Sequence, residues 1–208
     1  MKKTLCRALK AVVVMLALPG VALLPAAGAQ AQDNGYTISV KLSGNRPRIE
    51  DFVNALLNQE DAGEAYGPIS ADWKLWQKGR PLPAGHELEV APKNGYARHE
   101  VSYPDGGVST TEFCYWNIAD GSRLVLENRS VHIGDLAVET ELTGVTFYRY
   151  NPKTRKLTLS DPSSEGVEFP TYPTGAVTFH LPREGKDITA DYTDQEGRVH
   201  EVEFKWNG

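Results

Sequence analysis

Cysteine is nearly absent from this chain: Cys6 and Cys114 are the only two. A disulfide framework of the kind that staples small exported domains is therefore excluded once Cys6 is lost. Metal-ligand spacing is missing too. The histidines, His86, His99, His132, His180 and His200, are scattered, with no His-x-x-x-His pair. Zinc would need three or four ligands brought together by the fold, so the sequence signals no metal and no cofactor. No Gly-x-Ser-x-Gly elbow marks a hydrolase nucleophile, and the glycines mark turns rather than a strand–Gly-x-Gly–helix unit that cradles phosphate. Positive charge is short, with 22 Lys+Arg against 27 Asp+Glu and a formal net charge of −5. That argues against nucleic acid, whose binding rests on neutralised phosphates, and against adhesion to an anionic lipid surface.

The first thirty-one residues carry the strongest signal present. Lys2, Lys3, Arg7 and Lys10 precede or open an apolar run, Ala11 to Leu24, and small residues follow to Ala29-Gln30-Ala31. A basic start, a short apolar middle and an Ala-x-Ala end is the pattern of a cleaved secretory signal. The run is shorter than the roughly 20 residues of a spanning helix. No second stretch approaches that length, so no transmembrane segment is expected after cleavage near Ala31. The expected protein is exported, periplasmic or extracellular, with Cys114 as its only cysteine. Residues 32–208 then form a single β-rich domain, with a candidate internal boundary in the proline-bearing stretch 161–175.

Within that domain the hydrophobic period changes once. Tyr36, Ile38, Val40 and Leu42 alternate as a strand does. Ile49, Phe52, Val53, Leu56 and Leu57 then follow the stripe of an amphipathic helix, with Pro47 in its first turn and Glu50 and Asp51 at its positive end. Trp73 and Trp76 suggest one more short helix or turn. From His86 onward short alternating runs are separated by turn chemistry. Asn94-Gly95 joins 86–91 to 96–103, and Pro104 to Gly107 joins 96–103 to 108–117. About ten strands result. The predicted fold is mainly β (α+β): an antiparallel sheet of hairpins, a sandwich or a curled barrel-like form, with one N-terminal amphipathic helix.

A weak repeat runs through the strands. Phe113-Cys114-Tyr115-Trp116-Asn117 and Phe147-Tyr148-Arg149-Tyr150-Asn151 each lead into a turn and a return strand, and the chain ends on Trp206-Asn207-Gly208. An aromatic that caps the core beside an Asn that opens the turn explains this structurally. Aromatics and amides presented to a sugar or a partner would explain it functionally. Trp73, Trp76, Trp116, Tyr150 and Trp206 are accordingly the candidate ligand-binding residues. Cys114 lies among aromatics, which suits a buried thiol, although a histidine could meet it in space. Asp191, Asp194 and Glu196 crowd one turn but offer too few oxygens for calcium.

The Ala-x-Ala site followed by Gln, with Lys93-Asn94-Gly95-Tyr96 ahead of Phe113-Cys114-Tyr115-Trp116-Asn117, resembles uncharacterised exported proteins of Gram-negative bacteria over residues 86–128. The resemblance implies location and a β-rich fold and carries no activity. The leading expectation is a non-catalytic exported binding module for a protein, peptide or glycan in the envelope. The alternatives are an envelope hydrolase using a carboxylate pair or Cys114 with a histidine, and a structural or assembly protein.

Overall fold

The computed structural model describes residues 36–59, 66–132, 144–167, 177–194 and 196–206. The expected signal segment, residues 1–31, together with Asn207 and part of the 161–175 stretch, lies outside them. Two helices and ten strands appear in chain order: β1 (Thr37–Ser39), α1 (Ile49–Leu57), α2 (Pro68–Gln77), β2 (His86–Ala91), β3 (Tyr96–Ser102), β4 (Val108–Asn117), β5 (Arg123–His132), β6 (Gly144–Asn151), β7 (Lys156–Ser160), β8 (Val177–His180), β9 (Ile188–Thr193) and β10 (Val199–Phe204). Among the described residues one 3-10 turn, Pro162–Glu165, lies between β7 and β8. No helix among the described residues is long and apolar enough to cross a membrane.

Every ladder is antiparallel. The large sheet runs β1-β7-β6-β5-β4-β3-β2 and the small one β10-β9-β8. Strands β2 to β7 form a meander, and β1 returns to pair with β7. The sheet is therefore open, with β1 and β2 as its edges, rather than curled into a barrel.

Alternation assigns the faces. Ala97, Phe113, Val125, Tyr148, Tyr150 and Leu157 pack against Ile49, Phe52, Val53 and Leu56 of α1 and Ile69 and Trp73 of α2. The alternate residues Tyr96, Cys114, Trp116, Leu124, Leu126 and Phe147 pack against Ile188, Ala190, Phe204 and Trp206 of the small sheet's side. The large sheet is thus the middle of three layers, helices above and strands below. Burial on both sides is why Leu124-Val125-Leu126 reads as an unbroken apolar run.

The helix stripe falls where the period places it, with Ile49, Phe52 and Val53 fully buried. Pro47 does not enter the first turn. The Asp51 carboxylate accepts the Arg48 N–H at 2.9 Å and the Ser43 N–H at 2.9 Å, which starts the helix at Ile49. Tyr36 is half exposed rather than on the apolar face, since β1 pairs over only three residues. α1 and α2 are tied together by Asn54, whose Oδ1 accepts from Trp73 Nε1 at 2.8 Å and Gln77 Nε2 at 2.9 Å.

Two of the hairpin turns are close counterparts. Ala91-Pro92-Lys93-Asn94-Gly95-Tyr96 closes with Ala91 paired to Tyr96, and Asn151-Pro152-Lys153-Thr154-Arg155-Lys156 with Asn151 paired to Lys156. The first is a four-residue connection rather than a two-residue one. Pro92 takes the second position of a turn that the Asn94 N–H closes on the Ala91 carbonyl at 3.0 Å. Each turn then uses a left-handed residue before its return strand, Gly95 at φ 68° and Arg155 at φ 54°. At Gly95 a Cβ would stand 2.7 Å from the Tyr115 ring. In the second turn the Asn151 side chain accepts the Lys153 N–H at 2.9 Å, the turn-opening role read from sequence.

Candidate functional site

The helix-covered face of the large sheet holds a cluster that sequence spacing did not signal. Gly85, at φ 79°, lets the chain run against the Ser102 carbonyl, where a Cβ would sit at 2.8 Å. The next residue, His86, opens β2 opposite Val101, and Leu88 pairs with His99. His86 and His99 are therefore diagonal neighbours on one face, their rings 6.1 Å apart at 78°. Asp72 of α2 faces them. Its Oδ2 lies 2.6 Å from His86 Nδ1 and 2.7 Å from His99 Nε2. Each contact needs one proton, so both ring nitrogens donate to the one carboxylate oxygen.

Asp72 and His99 are buried, and His86 is 20% exposed. Burial pulls the His99 pKa below its ordinary value, against the pull of Asp72. A neutral imidazole is the form that binds metal. Two imidazole nitrogens and a carboxylate oxygen, all within 4.8 Å of one another, make the one group of three metal-binding side chains found among the described residues.

Two further polar clusters flank the core. On the helix side, the Glu127 carboxylate accepts from the Tyr66 hydroxyl at 2.8 Å and the Tyr148 hydroxyl at 3.3 Å, with Arg129 Nε at 2.7 Å. Burial pushes the Glu127 carboxyl and both phenols up. On the other side, the Glu112 carboxylate accepts from Tyr96 Oη at 2.8 Å, Asn128 Nδ2 at 2.9 Å and the Leu181 N–H at 3.1 Å. Asn128 also donates to the Phe179 carbonyl at 2.5 Å. Glu112 and Asn128 thereby bolt the β8 end of the small sheet to the large one.

No protein-family model, curated protein or solved structure matches this chain.

The five aromatics picked from sequence are dispersed, and four lie inside. Trp73, Trp116, Tyr150 and Trp206 are 1–7% exposed. Trp116 stacks on Trp206 at 4.8 Å, and Lys186 lies 4.4 Å from the Trp206 ring centre. Trp206 Nε1 donates to the Glu165 carbonyl. Tyr150 meets Phe52 edge-on at 5.1 Å. Trp76, half-buried, leans on Trp73 at 4.9 Å. The four buried rings have no face free for a sugar and cap the core, while Trp76 keeps part of its surface open.

Cys114 is 1% exposed on the small-sheet face, with the sheet between it and the His86–His99 pair. Burial, helped by Glu112, pushes its thiol well above the ordinary value. That is an inert thiol rather than a nucleophile. The acidic turn is committed to itself. His200 at 2.8 Å and the Arg198 and Glu196 N–H groups hold the Asp194 carboxyl down at about 2.

A hairpin with a two- or four-residue connection at Asn94-Gly95 puts His86 and His99 on the same face, but only the four-residue register, with Leu88 opposite His99, makes them diagonal neighbours. Asp72 carried no such signal, because the placement of α2 over the strands is a tertiary fact.

Proposed function

We propose that this protein is a non-catalytic exported module whose ligand is a divalent transition-metal ion held by Asp72, His86 and His99. The carrying observation is the convergence of two imidazole nitrogens on one buried carboxylate oxygen. Mixed nitrogen and oxygen donors suit zinc, copper or nickel, whereas calcium and magnesium want oxygen alone. The protons that now bridge the three side chains are the ones an entering ion would displace. Metal–donor bonds of about 2.0–2.1 Å place tetrahedral donors roughly 3.3 Å apart, so an entering ion would push the carboxylate oxygen about 0.7 Å back from each imidazole nitrogen, within a set of donors that now lie within 4.8 Å of one another. Without metal the same contacts fasten α2 to β2 and β3. The inert, distant Cys114 favours binding over the cysteine-hydrolase alternative.

The test is calorimetric titration of the metal-stripped full chain with zinc, alongside cobalt, whose visible absorption reports nitrogen and oxygen coordination. One ion per chain is expected. His86→Ala and Asp72→Asn should weaken binding by more than the about 10–100-fold that losing an outer-shell partner costs. Folded chain that takes up no ion near neutral pH, or takes it up equally well as His86→Ala, refutes the proposal.

A further inference from the structure

Six exposed cations gather at one end of the large sheet: Lys41, Arg46, Arg48, Lys153, Arg155 and Lys156. The Val40 N–H donates to the Arg155 carbonyl at 2.8 Å, which sets Lys41 beside that turn. Ser39 pairs with Lys156. The loop bearing Arg46 and Arg48 folds back on Asp51 through the Ser43 and Arg48 N–H groups. Phe52, one residue on, rests against Tyr150 at the foot of the same turn. Arg123 joins them as the cross-strand partner of Tyr150, its guanidinium turned to the Gly121 and Ser122 carbonyls. Among the described residues none of these seven pairs with a carboxylate. The acids at this end are Glu50, Asp51, which is buried in its own bonds, and Asp120 of the β4–β5 turn, which is paired with Arg149. A predominantly cationic tip on a chain of net charge −5 is an uneven distribution.

The turn itself gives a second, independent observation. Gly95 occupies the left-handed position of the counterpart turn, where glycine is unstrained. Arg155 occupies it here, the one non-glycine residue of positive φ among the described residues. A long cationic side chain at a position that favours glycine costs stability. Strain of this kind collects where a side chain serves something other than the fold.

We propose that this tip docks the protein on an anionic phospholipid surface. The cations are spread over three chain segments and their heads are not drawn together by buried partners, so they do not form a pocket for one small anion. They match a plane of laterally mobile phosphates, for which clusters of four to eight Lys and Arg suffice. The acidic remainder of the chain is repelled by the same surface and orients the tip toward it. The net charge read from the sequence, which argued against such a surface, averages this asymmetry away.

The experiment is co-sedimentation of the full chain with vesicles of phosphatidylcholine alone and of phosphatidylcholine with phosphatidylglycerol. Residues 1–31 are shared by all variants, so their contribution cancels. Binding to the anionic vesicles should weaken about fivefold for Arg155→Gly and about a hundredfold for Lys41→Ser/Lys153→Ser/Arg155→Gly. Lys78→Ser/Arg80→Ser, which removes two charges beside the α2–β2 connection instead, should bind as the parent does. Arg155→Gly should melt no lower than the parent. The proposal falls if the triple variant partitions like the parent, if the Lys78/Arg80 variant loses as much as the tip variants, or if Arg155→Gly lowers the melting temperature. It falls equally if short duplex DNA binds as tightly as the anionic vesicles at the same salt and competes with them for the tip.

Discussion

Replacing Glu112 by alanine should loosen the small sheet before it disturbs the large one. Glu112 is 4% exposed and its two oxygens take three donors. Truncation strands the Tyr96 hydroxyl and the Leu181 N–H without an acceptor, whereas Asn128 keeps the Phe179 carbonyl. A buried donor left unpaired costs about 1–3 kcal/mol, and breaking a buried charged network about 3–5 kcal/mol in total. We expect a loss of about 3–5 kcal/mol, a large part of the stability of an ordinary domain. Glu112→Gln, which keeps one acceptor oxygen, should lose less. Urea unfolding measures the magnitude, and amide hydrogen exchange locates it. Leu181 and the amides of β8 and β9 should exchange faster while those of β4 and β5 change little. A loss below about 1 kcal/mol, or exchange that quickens evenly through both sheets, would refute the clamp.

Three other outcomes follow from the same packing. Gly95→Ala puts a Cβ 2.7 Å from the Tyr115 ring at φ 68°, and should cost about 1–3 kcal/mol in thermal unfolding; a neutral result would show that Tyr115 yields freely. Asn54→Ala leaves the buried Trp73 N–H without its acceptor and should cost about 1–3 kcal/mol, with the loss restored in part by Asn54→Asp, which keeps the oxygen. Glu127 is raised by burial, so between the ordinary glutamate value and its folded value the native state keeps a proton that the unfolded chain has released. Stability from this group is present at low pH and lost as pH rises through that window. Glu127→Gln cannot ionise, so its stability relative to the parent should improve between acid and neutral pH in urea melts; a constant difference would contradict the assignment.

How much of this was legible depends on what each residue answers to. The α1 stripe was readable because its partners lie on one side of the helix. The hairpins were readable because Asn94-Gly95 and Pro152-Lys153 carry their turn geometry locally. The three-layer arrangement was not. Leu124, Val125 and Leu126 are buried on alternate faces, and a strand covered on both sides shows no period by which to assign either. The aromatics misled for the same reason: Trp116 and Tyr150 end equivalent strands but enter opposite cores. The candidate site was half legible, since hairpin pairing puts His86 and His99 on one face, while Asp72 arrives with a helix whose docking no local rule dictates.

Asp72, His86 and His99 lie within one short run of chain, with sequence separations of 14 and 27 between the contacting pairs. The segment α2–β2–β3 that carries them is a helix followed by a hairpin, closed by local contacts. The contacts among the three donors involve none of β8, β9 and β10, which come last in the chain and pack on the opposite face of the sheet. Local contacts form early and distant ones late. The donors can therefore assemble while the C-terminal strands are still unpaired, and an ion captured then would act as a nucleus for the remaining sheet. Refolding in the presence of zinc should accordingly be faster than without it, rather than merely ending in a more stable state.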